Sequence, residues 1–198
     1  MKILVIVAHP NPKSFNHAIA KTAVAATRRN GHETVLHDLY AERFDPLMTA
    51  EEFPKDAALP PDIARHCAEL AAAEGLVIVH PNWWGQPPAI LTGWIDRVVR
   101  PGVAYEFRIG DNGEGVPFGL LQLRAAMVFN TANTPPEREL AVFGDPLELL
   151  WRKCVFGLCG VERVHRQAFS VVITSTAEER ARWLEEVGSA VGRCFPPQ

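Results

Sequence analysis

The sequence lacks most of what would mark an exported, membrane-bound or nucleic-acid-binding protein. Its longest apolar stretches fall far short of the roughly 18 residues a membrane helix needs, which excludes insertion by such a helix. The opening Met-Lys-Ile-Leu-Val-Ile-Val-Ala run is also shorter than the ~7–15 apolar residues of an exported leader, and it ends in a polar loop rather than in small residues. It therefore reads as a first strand. Four cysteines, Cys67, Cys154, Cys159 and Cys194, form no CxxC pair and no zinc-like group with histidine. Cys154 and Cys159 sit in an apolar segment and are expected to be buried free thiols, which fits a reducing cytoplasm. A net charge of −3 gives neither nucleic acid nor an anionic membrane a reason to bind. Repeats, low-complexity runs and any linker that would split the chain are missing too. So are three local signatures: the glycine-rich dinucleotide loop, the phosphate-binding lysine loop and the serine nucleophile elbow.

What remains is a chain of 198 residues with an ordinary hydrophobic fraction of 47%, enough for one α/β domain with its own core. Ile3–Ala8 and Leu76–His80 are continuous apolar runs, the pattern of strands buried on both faces. Further strands are expected at Glu33–Asp38, Ala125–Thr131 and within Glu162–Val172. Helical spacing marks Phe15–Arg29, stopped by Asn30-Gly31, and then Asp62–Ala73, Ala89–Val99, Pro146–Cys159 and Ala177–Phe195. The proline-bearing stretch Tyr40–Pro61 reads as a long connection, and Glu106–Gly119 as a glycine-rich surface excursion or hairpin. Strands alternating with helices imply a doubly wound, five-stranded parallel sheet with helices on both faces, in which ligands bind at the carboxyl ends of the strands. Three loops should converge there: His9–Asn16, Pro81–Pro88 and Asn130–Pro135.

Two of these loops carry chemistry. The first feeds a helix N-terminus, where free backbone N–H groups and the helix dipole favour an anion. Ser14 and Asn16 can donate to a phosphate there or cap the helix, and His9 either bonds a second phosphate oxygen or is a polar strand end. The other loop, Pro81-Asn82-Trp83-Trp84-Gly85, sets two tryptophans beside a glycine ahead of a proline-opened helix. Its backbone can bond the edge of a planar ring, and Trp84 can flank the ring face. Trp94, set within the helix, reads as core. His17, His32, His37, His66, His80 and His165 show no metal-like pairing beside acids and read as surface or hydrogen-bonded residues, so no metal is expected. Arg97 and Arg100 suit a helix C-terminal turn, with a nicotinamide-phosphate contact as the sharper alternative. Glu178, Glu179, Arg180 and Arg182 read as a solvated helix face.

The run His9-Pro10-Asn11-Pro12-Lys13-Ser14-Phe15-Asn16, the run Pro81 to Arg97 with its Pro88-Ala89-Ile90-Leu91 and Gly93-Trp94 pairs, Val103–Phe107, and His37-Asp38-Leu39-Tyr40 together resemble the NAD(P)H:quinone oxidoreductase family. The resemblance spans nearly the whole chain in order. It implies a flavodoxin-like fold, a homodimer with a flavin (FAD or FMN) at each interface, and ping-pong hydride transfer from NAD(P)H through the flavin to a quinone or similar small acceptor. By that resemblance His9, Phe15 and Asn16 contact the phosphate tail, and Asn82, Trp83, Trp84 and Gly85 hold the ring. Asp96 is an acidic position near the cofactor, and Thr131, Ala132, Asn133 and Thr134 occupy the turn at the flavin's polar edge. Glu137 and Phe143 stand about where mammalian members carry a tyrosine and a histidine. The extension that holds the adenine half of FAD is missing, which leaves both flavins open. Two alternatives stand beside the enzyme: a flavin-binding regulatory subunit docking on a membrane transporter, and a one-electron carrier of the flavodoxin type.

Overall fold

The computed structural model describes residues 1–197. Five parallel strands form the central sheet: β1 (Lys2–Val7), β2 (Glu33–Asp38), β3 (Gly75–Pro81), β6 (Ala125–Thr131) and β7 (Val164–Phe169), in the order β2-β1-β3-β6-β7. This is the doubly wound flavodoxin-like order, with its switch point between β1 and β3. The Glu106–Gly119 excursion is a hairpin, β4 (Tyr105–Ile109) and β5 (Gly115–Gly119), forming a separate antiparallel pair.

The three inner strands are buried on both faces, so side-chain alternation divides one apolar sequence between two cores. Leu4, Ile6, Leu76, Ile78 and Val128 face α2 (Pro61–Ala72) and α3 (Ala89–Val98), where Trp94 is fully buried as expected. Ile3, Val5, Val77, Val79, Met127 and Phe129 face α1 (Phe15–Arg29) and α7 (Ala177–Cys194). Helix α1 begins where Ser14 Oγ accepts the His17 amide, and α7 begins with a Thr176–Glu179 capping box.

Between β6 and β7 the chain departs from the expected single helix. Pro136–Arg138 forms a short helix, α4, that widens into a π turn over Glu139–Phe143. After Gly144 and Asp145, both at positive φ, the chain continues through α5 (Pro146–Leu149), a π segment (Leu150–Val155) and α6 (Phe156–Leu158). The inward face of this stretch is Leu147, Trp151, Phe156 and Cys159, which leaves Cys154 exposed. Cys154 lies beside the exposed Lys153, on the side of the segment away from Trp151 and Phe156.

Arg97 stands in the last turn of α3, as expected, and Arg100 follows just beyond it. Both are buried. Arg97 forms a two-pronged ion pair with Glu52 (2.9 and 2.7 Å) and bonds the Asp45 carbonyl, and Arg100 bonds the carbonyls of Glu52 and Pro54. The long proline-bearing connection is thus pinned to α3 by two guanidinium groups: Arg97 is committed to Glu52, whereas Arg100 bonds only carbonyls through Nη2 and keeps a buried Nη1 without a partner.

Candidate functional site

The loop after β1 is fixed by its own polar groups. Asn11 Oδ1 accepts the Lys13 amide, and His9 Nδ1 accepts the Asn11 amide at 3.0 Å. That second bond assigns the proton of a neutral His9 ring to Nε2, which leaves a donor free. Burial holds the His9 pKa below its usual range, and the neighbouring His17 adds to the effect. Ser14 serves first as the helix cap: its hydroxyl also meets His17 Nδ1 at 2.9 Å, while His17 Nε2 reaches Asp38 at 2.8 Å. The amides of Phe15 and Asn16 lie in the first helical turn and have no partner within the helix.

The loop after β3 is tightly folded. Trp83 and Gln86 exchange two backbone hydrogen bonds of 3.0 Å around Trp84 and Gly85, which lie at φ +59° and +73°. This is a type I′ turn, and a tryptophan in its left-handed position is uncommon. The consequence is that Trp84 stands entirely in solvent, while Trp83 is 40% exposed and lies 6.0 Å from the His9 ring. Gly85 is required here, since a Cβ would also meet Pro146 at 2.7 Å. Asn82 organises the turn: its Oδ1 accepts the Gly85 amide, its Nδ2 donates to Glu139, and its own amide donates to the Thr131 carbonyl at 2.6 Å.

Beneath this turn lies His80, fully buried. Its Nε2 accepts from Trp151 Nε1 at 3.0 Å and its Nδ1 bonds the Pro81 carbonyl at 2.8 Å. Burial pushes its pKa down to about 4, so the ring stays neutral and its one proton is committed to the loop backbone.

The loop after β6 completes the cleft. Asn16 Nδ2 donates to Thr131 Oγ1 at 2.9 Å, Ala132 bonds Phe169, and Asn133 Oδ1 accepts the Ile173 amide. The result is two adjoining cavities. One, of about 360 Å³, is lined by His9, Ser14, Phe15, Asn16, Pro81 and Trp83. Its neighbour, of about 520 Å³, is lined by Trp84, Gly85, Thr134, Glu139, Phe143 and Pro146. Asn82, Ala132 and Asn133 line both, so they form a shared wall. Thirteen of the fourteen residues singled out from the sequence thus gather at the carboxyl ends of the strands, beside the switch point, with Thr131 in the smaller cavity.

Asp96 is the exception. It lies on α3 in a separate groove of about 740 Å³ with Ile95, Val99, Tyr105, Phe107 and Cys154, which shares no residue with the cleft. The resemblance placed Asp96 near the cofactor; the helix that starts at the ring loop carries it about two turns from that loop, into this other groove.

Sequence reasoning also missed contributors. Arg180 is not merely part of a solvated face. It bonds Ser175 Oγ and the Val172 carbonyl and lines the smaller cavity, bringing a guanidinium to the cleft beside His9 and the α1 N-terminus. Glu139 and Pro146 enter the larger cavity from the irregular segment after β6. Five of the six remaining histidines are buried, and His37, Glu42 and His66 bring possible metal-ligand atoms within 4.8 Å of one another. Trp94 Nε1 donates into His66 Nδ1 at 3.2 Å, which puts the proton of a neutral His66 ring on Nε2, the atom that faces Glu42, and His37 bonds the carboxylates of Glu42 and Glu69.

The cleft suits a cofactor with an anionic tail and a planar ring. Asn16 Oδ1 is buried without a hydrogen-bond partner, an acceptor awaiting a hydroxyl or amide donor from a ligand. The Trp84, Asn133 and Thr134 amides find no acceptor among the described residues.

Comparison with known proteins agrees with this geometry. The family model described as flavodoxin-like fold (Flavodoxin_2) matches residues 1–190. An NAD(P)H oxidoreductase of Haemophilus influenzae is 34% identical over 174 residues, covering 85% of this chain and 83% of its own. The NAD(P)H dehydrogenase [quinone] 1 of Rattus norvegicus is 29% identical over 207 residues, covering 93% of this chain and 74% of its own. A structure from Klebsiella pneumoniae assigned as a quinone reductase superposes with a TM-score of 0.84 at 25% identity, covering all of this chain and 86% of its own. The chain therefore belongs to the flavodoxin-like fold family, as an oxidoreductase related to the NAD(P)H quinone reductases.

Proposed function

We propose that the chain binds a flavin, FMN or FAD, across the two adjoining cavities and passes two electrons from NAD(P)H to a quinone-like acceptor. The observation that carries this reading is the shared wall of Asn82, Ala132 and Asn133, which lets one ligand occupy a phosphate-type site and a ring-type site at once. A bound flavin supplies the chemistry, accepting a hydride from NAD(P)H and giving it with a proton to the acceptor, so that a quinone leaves as a hydroquinone.

The protein's part is to bind and orient. The α1 N-terminus, the His9 Nε2 donor and Arg180 suit a phosphate; Ser14, Phe15 and Asn16 form the adjoining wall. Pro81, Asn82, Trp83, Trp84 and Gly85 would hold the ring, the loop backbone offering hydrogen-bonding groups and the Trp84 indole an aromatic surface. Thr131, Ala132, Asn133 and Thr134, on the remaining wall of the two cavities, would hold its polar edge. Trp84 stands fully exposed and Phe143, beside it in the larger cavity, is also in solvent, which fits a second copy of the chain covering the cleft and shaping the acceptor site in a homodimer. Free thiols, and the lack among the described residues of any helix long and apolar enough to cross a membrane, suit a cytoplasmic setting.

The test is to release the cofactor from purified protein, identify it by mass, and follow NAD(P)H oxidation with and without a quinone. Quinone-dependent oxidation supports the enzyme. Bound flavin with negligible turnover and a co-purifying membrane partner supports a regulatory subunit, and a stable one-electron-reduced flavin supports an electron carrier.

A further inference from the structure

Charge is unevenly distributed along the cleft. The smaller cavity holds the Arg180 guanidinium, the N–H donor of a neutral His9 ring and the positive end of a helix dipole, all suited to an anion. The larger cavity is lined by Asn82, Trp84, Asn133, Thr134, Phe143 and other uncharged residues, and Glu139 is its one charged side chain. Glu139 stands at the start of the π turn after α4, half-buried, and accepts from Asn82 Nδ2 at 3.0 Å. It forms no ion pair among the described residues. Arg166, the buried guanidinium of this region, is already matched by Asp145 at 2.7 Å and Glu148 at 3.2 Å. The Glu139 carboxylate therefore has a hydrogen bond but no cationic partner among the described residues, in a half-buried position on the cavity wall where a like charge is repelled more strongly than in water.

We infer that Glu139 sets the charge class of the acceptor: neutral or cationic aromatic acceptors enter the larger cavity, and acceptors bearing a sulfonate or carboxylate are turned away. This rests on the reading of that cavity as the place where a reducible aromatic molecule meets the ring. The selectivity works by exclusion, an introduced repulsion rather than an added attraction. It also gives the two halves of the cleft opposite tasks, since the anionic tail of a cofactor is drawn to the Arg180 end and kept from the Glu139 end.

The test compares 1,4-naphthoquinone with its 2-sulfonate in the flavin-loaded protein, for the wild type and Glu139→Gln. Glutamine keeps an oxygen to accept from Asn82 and removes only the charge. The readout is the ratio of kcat/KM for the sulfonate to kcat/KM for the parent, which cancels any common effect of the substitution on the flavin or the fold. Removing the charge should raise this ratio by about tenfold. Added salt should raise the wild-type ratio and leave that of the variant nearly level. A ratio that stays within about twofold of the wild-type value, or one equally salt-sensitive in both proteins, overturns the inference.

Quenching of tryptophan fluorescence by each quinone gives the same ratio as dissociation constants without turnover. If neither quinone is reduced by either protein, the oxidoreductase reading fails, while the binding ratio still decides the role of Glu139.

Discussion

The side-chain amide of Asn16 on α1 donates to Thr131 Oγ1 at the end of β6, joining residues 115 positions apart at 2.9 Å. Both residues are buried, and Asn16 Oδ1 has no partner, so one side chain ties two loops of the cleft and presents an open acceptor to it. Asn16→Ala should cost roughly 1–3 kcal/mol of stability through the lost bond and the orphaned hydroxyl. It should also weaken FMN or FAD binding at least tenfold. Urea unfolding and a flavin fluorescence titration measure the two effects, and an unchanged affinity would remove Asn16 from the site.

The turn at Trp84-Gly85 allows stability and binding to be separated. Trp84 is fully exposed at φ +59°, so Trp84→Gly relieves backbone strain and should leave the urea midpoint unchanged or raise it by the equivalent of about 1 kcal/mol. The same change removes the indole and should weaken flavin binding severalfold. Gly85→Ala goes the other way: a methyl group at φ +73° and 2.7 Å from Pro146 should destabilise by roughly 1–3 kcal/mol. Unfolding curves for the two variants, with a flavin titration of each, test the opposition. A Trp84→Gly protein that binds flavin normally would show that the exposed indole has no part in the site.

Acid should weaken the fold through His80 and His66. Burial lowers each pKa from 6.5 to about 4, so the native rings resist protons that the unfolded chain takes up. In that window the unfolded state binds more protons and stability rises with pH. It is therefore lost as pH falls from about 6.5 toward about 4, by up to ~1.4 kcal/mol per pH unit for each ring, and levels off below. Unfolding free energies measured between about pH 7 and about pH 5 should show this slope, and His80→Gln should reduce it. An identical slope in the variant would mean that His80 does not resist protonation in the folded chain.

The parts legible in the sequence were those governed by local pattern. The apolar runs at β1 and β3 have no amphipathic alternation to lose, and they stand as strands buried on both faces. The two loops that follow them are read from adjacent residues, and they meet because the sheet order leaves its switch point between those strands. The features not legible there depend on tertiary geometry. Arg180 reaches the cleft because the loop after β7 folds back against Ala132 and Asn133. Glu139 enters through a π turn, whose spacing no 3.6-residue period describes. Arg97 is buried because Glu52, far earlier in the chain, arrives to pair with it. Likewise His37 and His66 come together from β2 and α2, with ring centroids 4.0 Å apart, and nothing in their separate surroundings announces the contact.

The central claim is that one flavin spans the cleft between Asn16 and Trp84. Incubate the purified protein with FMN or FAD, pass it through gel filtration, and record the visible spectrum of the protein peak. The expected result is about one flavin per chain, bleached on addition of NAD(P)H, with less flavin retained by the Asn16→Ala and Trp84→Gly proteins. A colourless protein peak after incubation with either flavin would contradict the claim.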